Sequence, residues 1–191
     1  MSSANSHEIL KLTGGLLAMV VYGPIIWDVI RYGSAGQSFA TWGLWAGLDS
    51  MLTIALWLQH GNYLLSLGYA VGGVVLTLVL LKRGGISWGR FETIITLLVL
   101  ACMVIWKFSG PRNASIAVTT AICIAVVPGF IEMLRDPQPK ARKIWAGFTV
   151  ASALSYFGGT TMTVEERLTP AAFFVLSVVM FTASCRPPKV K

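Results

Sequence analysis

Asp49 stands about ten residues into the apolar run Phe39–Leu58, with no Lys or Arg within a helical turn of it on that run. Placing an acid at the centre of a bilayer costs roughly 2.5–3.5 kcal/mol on insertion scales, so such a residue is expected to face protein or a wet cavity. There it would hold a solute by hydrogen bonds, or take up and release a proton. Trp42, Trp45 and Asp49 follow one another at i, i+3 and i+7, which places them on one helical face. A later run carries a matching stripe of Trp145, Phe148, Ser152 and Tyr156. With Trp57, Tyr69, Thr119 and Thr120, these are the candidate lining of a substrate-binding cavity. Hydroxyls and a carboxylate would hold the solute, and rings would stack on a flat one. Ordinary helix packing also explains an aromatic stripe.

Other chemistries lack their residues. The only histidines are His7, near the N-terminus, and His60, between two apolar runs, so no Ser–His pair stands within a run. Cys102, Cys123 and Cys185 have no CxxC spacing and read as small apolar fillers. No zinc-type cluster, phosphate-binding loop or lysine in the last apolar run is present, so neither enzymatic activity nor a metal, nucleotide or retinal cofactor is expected.

The elements that must position these residues follow from composition. Of 191 residues, 55% belong to the set AVILMFWYC and 12% are charged, against about 25% charged in soluble domains. This excludes a water-soluble globule and predicts an all-α integral membrane protein. The net charge of +7 does not point to nucleic acid, because the basic residues lie between apolar runs. Seven runs approach the roughly 20 residues that cross a bilayer as a helix: Leu12–Ile30, Phe39–Leu58, Tyr63–Leu81, Phe91–Phe108, Ala114–Leu134, Lys143–Phe157 and Leu168–Cys185. With the N-terminus outside, the outer loops hold Lys11, Lys107, Arg112 and Arg167, and the remaining eleven of the 15 basic residues lie inside. The positive-inside rule therefore predicts an outer N-terminus and a cytoplasmic C-terminus. The short chain, with no recognised sorting signal, suggests a bacterial inner membrane.

The runs also repeat. Laid on one another, Pro24 meets Pro128, Asp28 meets Glu132, and Arg31 meets Arg135; one deletion later Trp42 meets Trp145 and Asp49 meets Ser152. Residues 1–85 and 113–191 are thus expected to form two parallel three-helix repeats, joined by a linker helix within 86–112. Parallel repeats about an axis along the bilayer normal are a transporter architecture. Pro24 and Pro128 are candidate hinges or static kinks. Asp28 with Arg31 and Glu132 with Arg135, each a turn apart, are candidate inner-gate pairs or interface anchors. Gly43/Gly47 and Gly68/Gly72 are expected to serve helix packing, with a homo-oligomer face as the alternative.

This three-plus-one-plus-three plan, with a proline-centred motif in each half, resembles the PQ-loop superfamily, which includes the SWEET sugar transporters. The prolines correspond to Pro24 and Pro128, while the family's glutamines are replaced by Ile25 and Gly129. The sugar-contacting asparagines of SWEETs have no counterpart, since Asn62 precedes the third run and the seventh has none. The resemblance implies a transporter moving a small polar solute by alternating access between the halves, as a uniporter or coupled to protons. The nicotinamide riboside carriers share the plan, and Trp42-Gly43-Leu44-Trp45 suits that alternative. A non-transporting receptor or sorting module is the third reading.

Overall fold

The computed structural model describes residues 3–33, 38–83 and 88–187. Those residues form helices and no strands: α1 Ser3–Val20, α2 Tyr22–Tyr32, α3 Phe39–Leu58, α4 Leu64–Lys82, α5 Arg90–Arg135, α6 Ala141–Gly158 and α7 Val164–Ser184. Four helical stretches are long and apolar enough to cross a membrane: Asn5–Tyr32, Leu64–Lys82, Arg90–Arg135 and Val164–Ser184. Helices α3 and α6, of 20 and 18 residues, are long enough but less apolar, because they carry Asp49 and several Thr, Ser and Trp.

Proline at 24 has no N–H to give the carbonyl of Val20, so one helical bond is missing between α1 and α2. Val21 between them keeps helical dihedrals, φ −59° and ψ −23°, and donates to the Leu17 carbonyl at 3.0 Å. The first helix departs from expectation elsewhere. Lys11, expected in an outer loop, lies inside α1 with 8% of its surface exposed. Pro128, the expected equivalent of Pro24, lies within helix that continues to Arg135.

Helix α5 counts 46 residues, about 69 Å if straight at 1.5 Å per residue. It is not one rod. Gly110 has φ 77° and ψ 178° and is followed by Pro111, which divides α5 into two limbs. The first limb starts beside α3, where the Thr41 hydroxyl donates to Glu92 Oε1 at 2.7 Å. The second starts beside α7, where Arg112 Nε lies 3.1 Å from Glu165 Oε1. Residues 159–166 adjoin the far end of α3, because the Asn62 amide donates to the Glu165 carbonyl at 3.0 Å. The first limb therefore travels from one end of the bundle to the other.

Helix α1 packs against both α4 and α6, α3 against α4 and α5, and α7 against α5 and α6. The α1–α4 contact is made at backbone range, since a Cβ on Gly15 would meet the Leu64 carbonyl and one on Gly68 the Gly15 carbonyl. Gly72 holds the Tyr22 ring in the same way. The Gly68/Gly72 face is therefore filled within the chain, which removes it as an oligomer face. Gly68→Ala should destabilise the protein by about 1–3 kcal/mol through overpacking. Gly47→Ala, where an added Cβ meets nothing within 4 Å, should leave the thermal unfolding temperature in detergent unchanged.

Candidate functional site

Two polar clusters interrupt the apolar interior. The central one is built on Tyr69 of α4, which is 8% exposed. Its hydroxyl lies 3.3 Å from Ser152 Oγ of α6, and Ser177 of α7 is also within hydrogen-bonding reach. The Tyr69 ring tilts against Phe148 and Phe173 at centroid distances of 5.0 and 4.9 Å. Tyr22 turns its ring edge-on to Trp42, Tyr69 and Phe148. Trp45 adjoins Trp42 at 6.4 Å, and Trp145 adjoins Phe148 at 5.7 Å. Asp49 is 4% exposed and within electrostatic range of Tyr22 and Tyr69. Its Oδ1 and the neighbouring Trp45 Nε1 have no hydrogen-bond partner. A buried acid with an open lone pair, within electrostatic range of two tyrosines, can receive a proton or a donor group.

Seven of the sequence candidates thus come together: Trp42, Trp45, Asp49, Tyr69, Trp145, Phe148 and Ser152. Four do not. Trp57 is 58% exposed and borders a surface depression, because it points off the buried face of α3. Tyr156 lies under the Arg167 guanidinium at 4.7 Å, near the end of α6. Thr119 is buried 3.2 Å from Thr169, and Thr120 is exposed and bonded to its own helix. Sequence reading passed over Tyr22, Phe173 and Ser177. Tyr22, two residues before Pro24, was the one with a local signal.

The expected gate pairs are not formed. No ion pair joins Asp28 to Arg31 or Glu132 to Arg135 among the described residues. Arg31 lies over the Tyr32 ring at 5.7 Å instead, and Glu132 and Arg135 are exposed.

The second cluster occupies the opposite end from Thr41 and Glu92. Lys11 Nζ lies 3.2 Å from Glu166 Oε2 and 3.2 Å from Glu8 Oε1. Glu166 Oε2 also accepts from the Thr160 amide at 3.2 Å. Asn62, 1% exposed, donates through Nδ2 to the Ser155 carbonyl at 2.9 Å and to Ser155 Oγ at 3.1 Å. Arg167 donates to the carbonyls of Gly159, at 2.7 Å, and Tyr156. These bonds tie α1, the α3–α4 turn, the end of α6 and the start of α7 together. Two open depressions, of about 530 and 290 Å³, lie over the seal. His60 and Gly61 border both; Arg112, Glu165 and Glu166 line the larger, and Glu8, Lys11 and Asn62 the smaller.

Breaking a buried ion pair from one side leaves an uncompensated charge, at a cost of about 3–5 kcal/mol, whereas replacing both partners is often near neutral. Lys11→Met should therefore sharply lower the unfolding temperature in detergent. Adding Glu166→Gln should recover most of the loss, and a double variant no better than the single one would remove the pair's role. Comparison of the chain with known protein families, with curated proteins and with solved structures found no match.

Proposed function

We propose that this chain is a membrane transporter that moves a small polar solute by alternating access, with Asp49 at the binding centre. The observation that carries the reading is the Asp49 carboxylate, buried with one oxygen free, where Tyr22, Tyr69 and Ser152 meet from different helices. Structural acids are normally satisfied by their surroundings, and an unsatisfied intramembrane acid is a functional site by default.

The seven-crossing, two-repeat plan is part of the proposal, and the packing supports it. Under the repeat, α1 corresponds to the second limb of α5, α3 to α6 and α4 to α7. The pair α3–α4 then answers α6–α7, and α1–α4 answers α5–α7. The directions agree too. Gly15 and Tyr22 meet Leu64 and Gly72 in parallel order, as Arg112 and Thr119 meet Glu165 and Thr169. Such a plan is PQ-loop-like. The Lys11–Glu166 seal closes one side, placed outside by the charge bias, in a bacterial inner membrane. Pro24 and Pro128, each leaving one helical carbonyl without its usual partner, are the candidate hinges.

Flux in proteoliposomes tests the function. A screen of sugars, nucleosides, amino acids and amines should find a transported solute whose uptake responds to an imposed pH gradient. Asp49→Asn should abolish that response, and an unchanged response would return Asp49 to a packing role. Absence of flux for every class would favour a receptor or sorting module.

Topology is independently testable. Reporter fusions should place the N-terminus outside and the C-terminus in the cytoplasm, and an active cytoplasmic reporter at the N-terminus would overturn the orientation.

A further inference from the structure

Buried side-chain atoms without a hydrogen-bond partner are few, and they are not scattered. They include Trp45 Nε1, Asp49 Oδ1, Gln59 Oε1 and Asn62 Oδ1, with His7 Nδ1 beside the N-terminal turns of α1. Trp45 and Asp49 belong to α3, Gln59 caps its end, and Asn62 follows three residues later. At 3.6 residues per turn, Trp45, Asp49 and Gln59 fall within about 80° of arc on one face of that helix. Over roughly 21 Å, this face passes from the central aromatic cluster to the sealed end.

The chemistry of these atoms is one-sided. Gln59 and Asn62 each present an oxygen that accepts and cannot donate, and Asp49 does the same when ionised. A neutral polyol mixes donors with acceptors and would meet few donors here, the Trp45 indole N–H among them. A carboxylate would be repelled by Asp49. An ammonium has three donors and no acceptor, which matches oxygen-only stations.

Charge points the same way. Among the described residues the ion pairs are Lys11 with Glu8 and Glu166, and Arg112 with Glu165, all at the sealed end. Asp49 takes part in none. A carboxylate that is 96% buried is either neutralised by a proton or met by a positive group, because burying an unpaired charge is severely unfavourable, and a bound ammonium would be the second of these. Trp45, one turn before Asp49 on α3, belongs to the connected ring group of Trp42, Tyr22 and Tyr69, and a desolvated cation is attracted to an aromatic face.

We infer that the solute is a small organic cation, an amine or ammonium group on a flat apolar body, whose charged head binds Asp49 beside the Trp45–Trp42–Tyr22 rings. Gln59 and Asn62 present further acceptor oxygens at the sealed end itself. The inference deepens the transport reading and rests on it for the direction of travel, though not for the binding chemistry.

The test is equilibrium binding to the full chain in lipid nanodiscs, with empty nanodiscs as the baseline. The probes are benzylamine, benzyl alcohol and benzoate, which share a ring and differ in charge. Labelled benzylamine should bind saturably and be displaced by unlabelled benzylamine at least about tenfold better than by benzyl alcohol, the ratio expected for one charge-assisted hydrogen bond. Benzoate should not compete. Asp49→Asn should lose the binding and Asp49→Glu should keep it, each with its helical circular dichroism intact. Equal competition by the alcohol, or undiminished binding to a folded Asp49→Asn protein, would overturn the inference. The competition series on the parent decides the matter even if Asp49→Asn does not fold. Saturable amine binding without flux in proteoliposomes would keep the cation site and reject transport. Flux of a neutral solute without amine binding would do the reverse.

Discussion

Helix α1 can lie in the groove between α4 and α6 only because glycine stands at each crossing. Apolar side chains gain little by leaving lipid for protein, so helices in a membrane associate through close packing and hydrogen bonds. Gly15 and Gly68 let α1 and α4 touch backbone to backbone, while Gly14 and Gly158 do the same between α1 and α6. Both polar clusters depend on that placement. Toward one end it brings Tyr22 against Gly72 and into the aromatic group around Tyr69. Toward the other it sets the Lys11 backbone against Gly158, from where the ammonium reaches Glu166.

The two ends of the bundle differ in kind. One is drawn shut by charge, through Lys11, Glu166, Arg112 and Glu165, with Asn62 and Arg167 occupying carbonyls that helix ends leave open. At the other, a neutral hydroxyl of Thr41 meets Glu92, and Arg142 donates to the Ser184 carbonyl at 2.8 Å. Buried ion pairs contribute more to the choice of one arrangement than to net stability. The sealed end thus has a defined closed geometry.

Much of this was legible in the sequence. Apolar runs locate the helices within a few residues except at the start of α1, which begins at Ser3 rather than Leu12, and the cost of an intramembrane acid singles out Asp49. The face shared by Trp42, Trp45 and Asp49 follows from helical spacing alone. What failed was the reading of charges at the margins of runs. Lys11, read as an outer-loop residue, lies within a helix that starts at Ser3, and Glu166, which carried no signal in the sequence, is buried against it within a helix that starts at Val164. Gly43/Gly47 and Gly68/Gly72 share a pattern, but only the second meets a neighbouring helix at backbone range, and which face has a neighbour is a property of the assembled bundle. The gate pairs failed for a similar reason: spacing permits Asp28 and Arg31 to meet, but a nearby ring competes for the guanidinium.

Lys11 and Glu166 lie 155 positions apart. During synthesis at roughly 5–20 residues per second, the lysine therefore waits on the order of 10 s for its distant carboxylate to be made. Through that interval the first helix must sit at the membrane with its ammonium otherwise uncovered. Glu8, one turn earlier on the same helix and 3.2 Å from Lys11 Nζ, is available from the start. Before Glu166 is made, Glu8 is the carboxylate within reach of that ammonium.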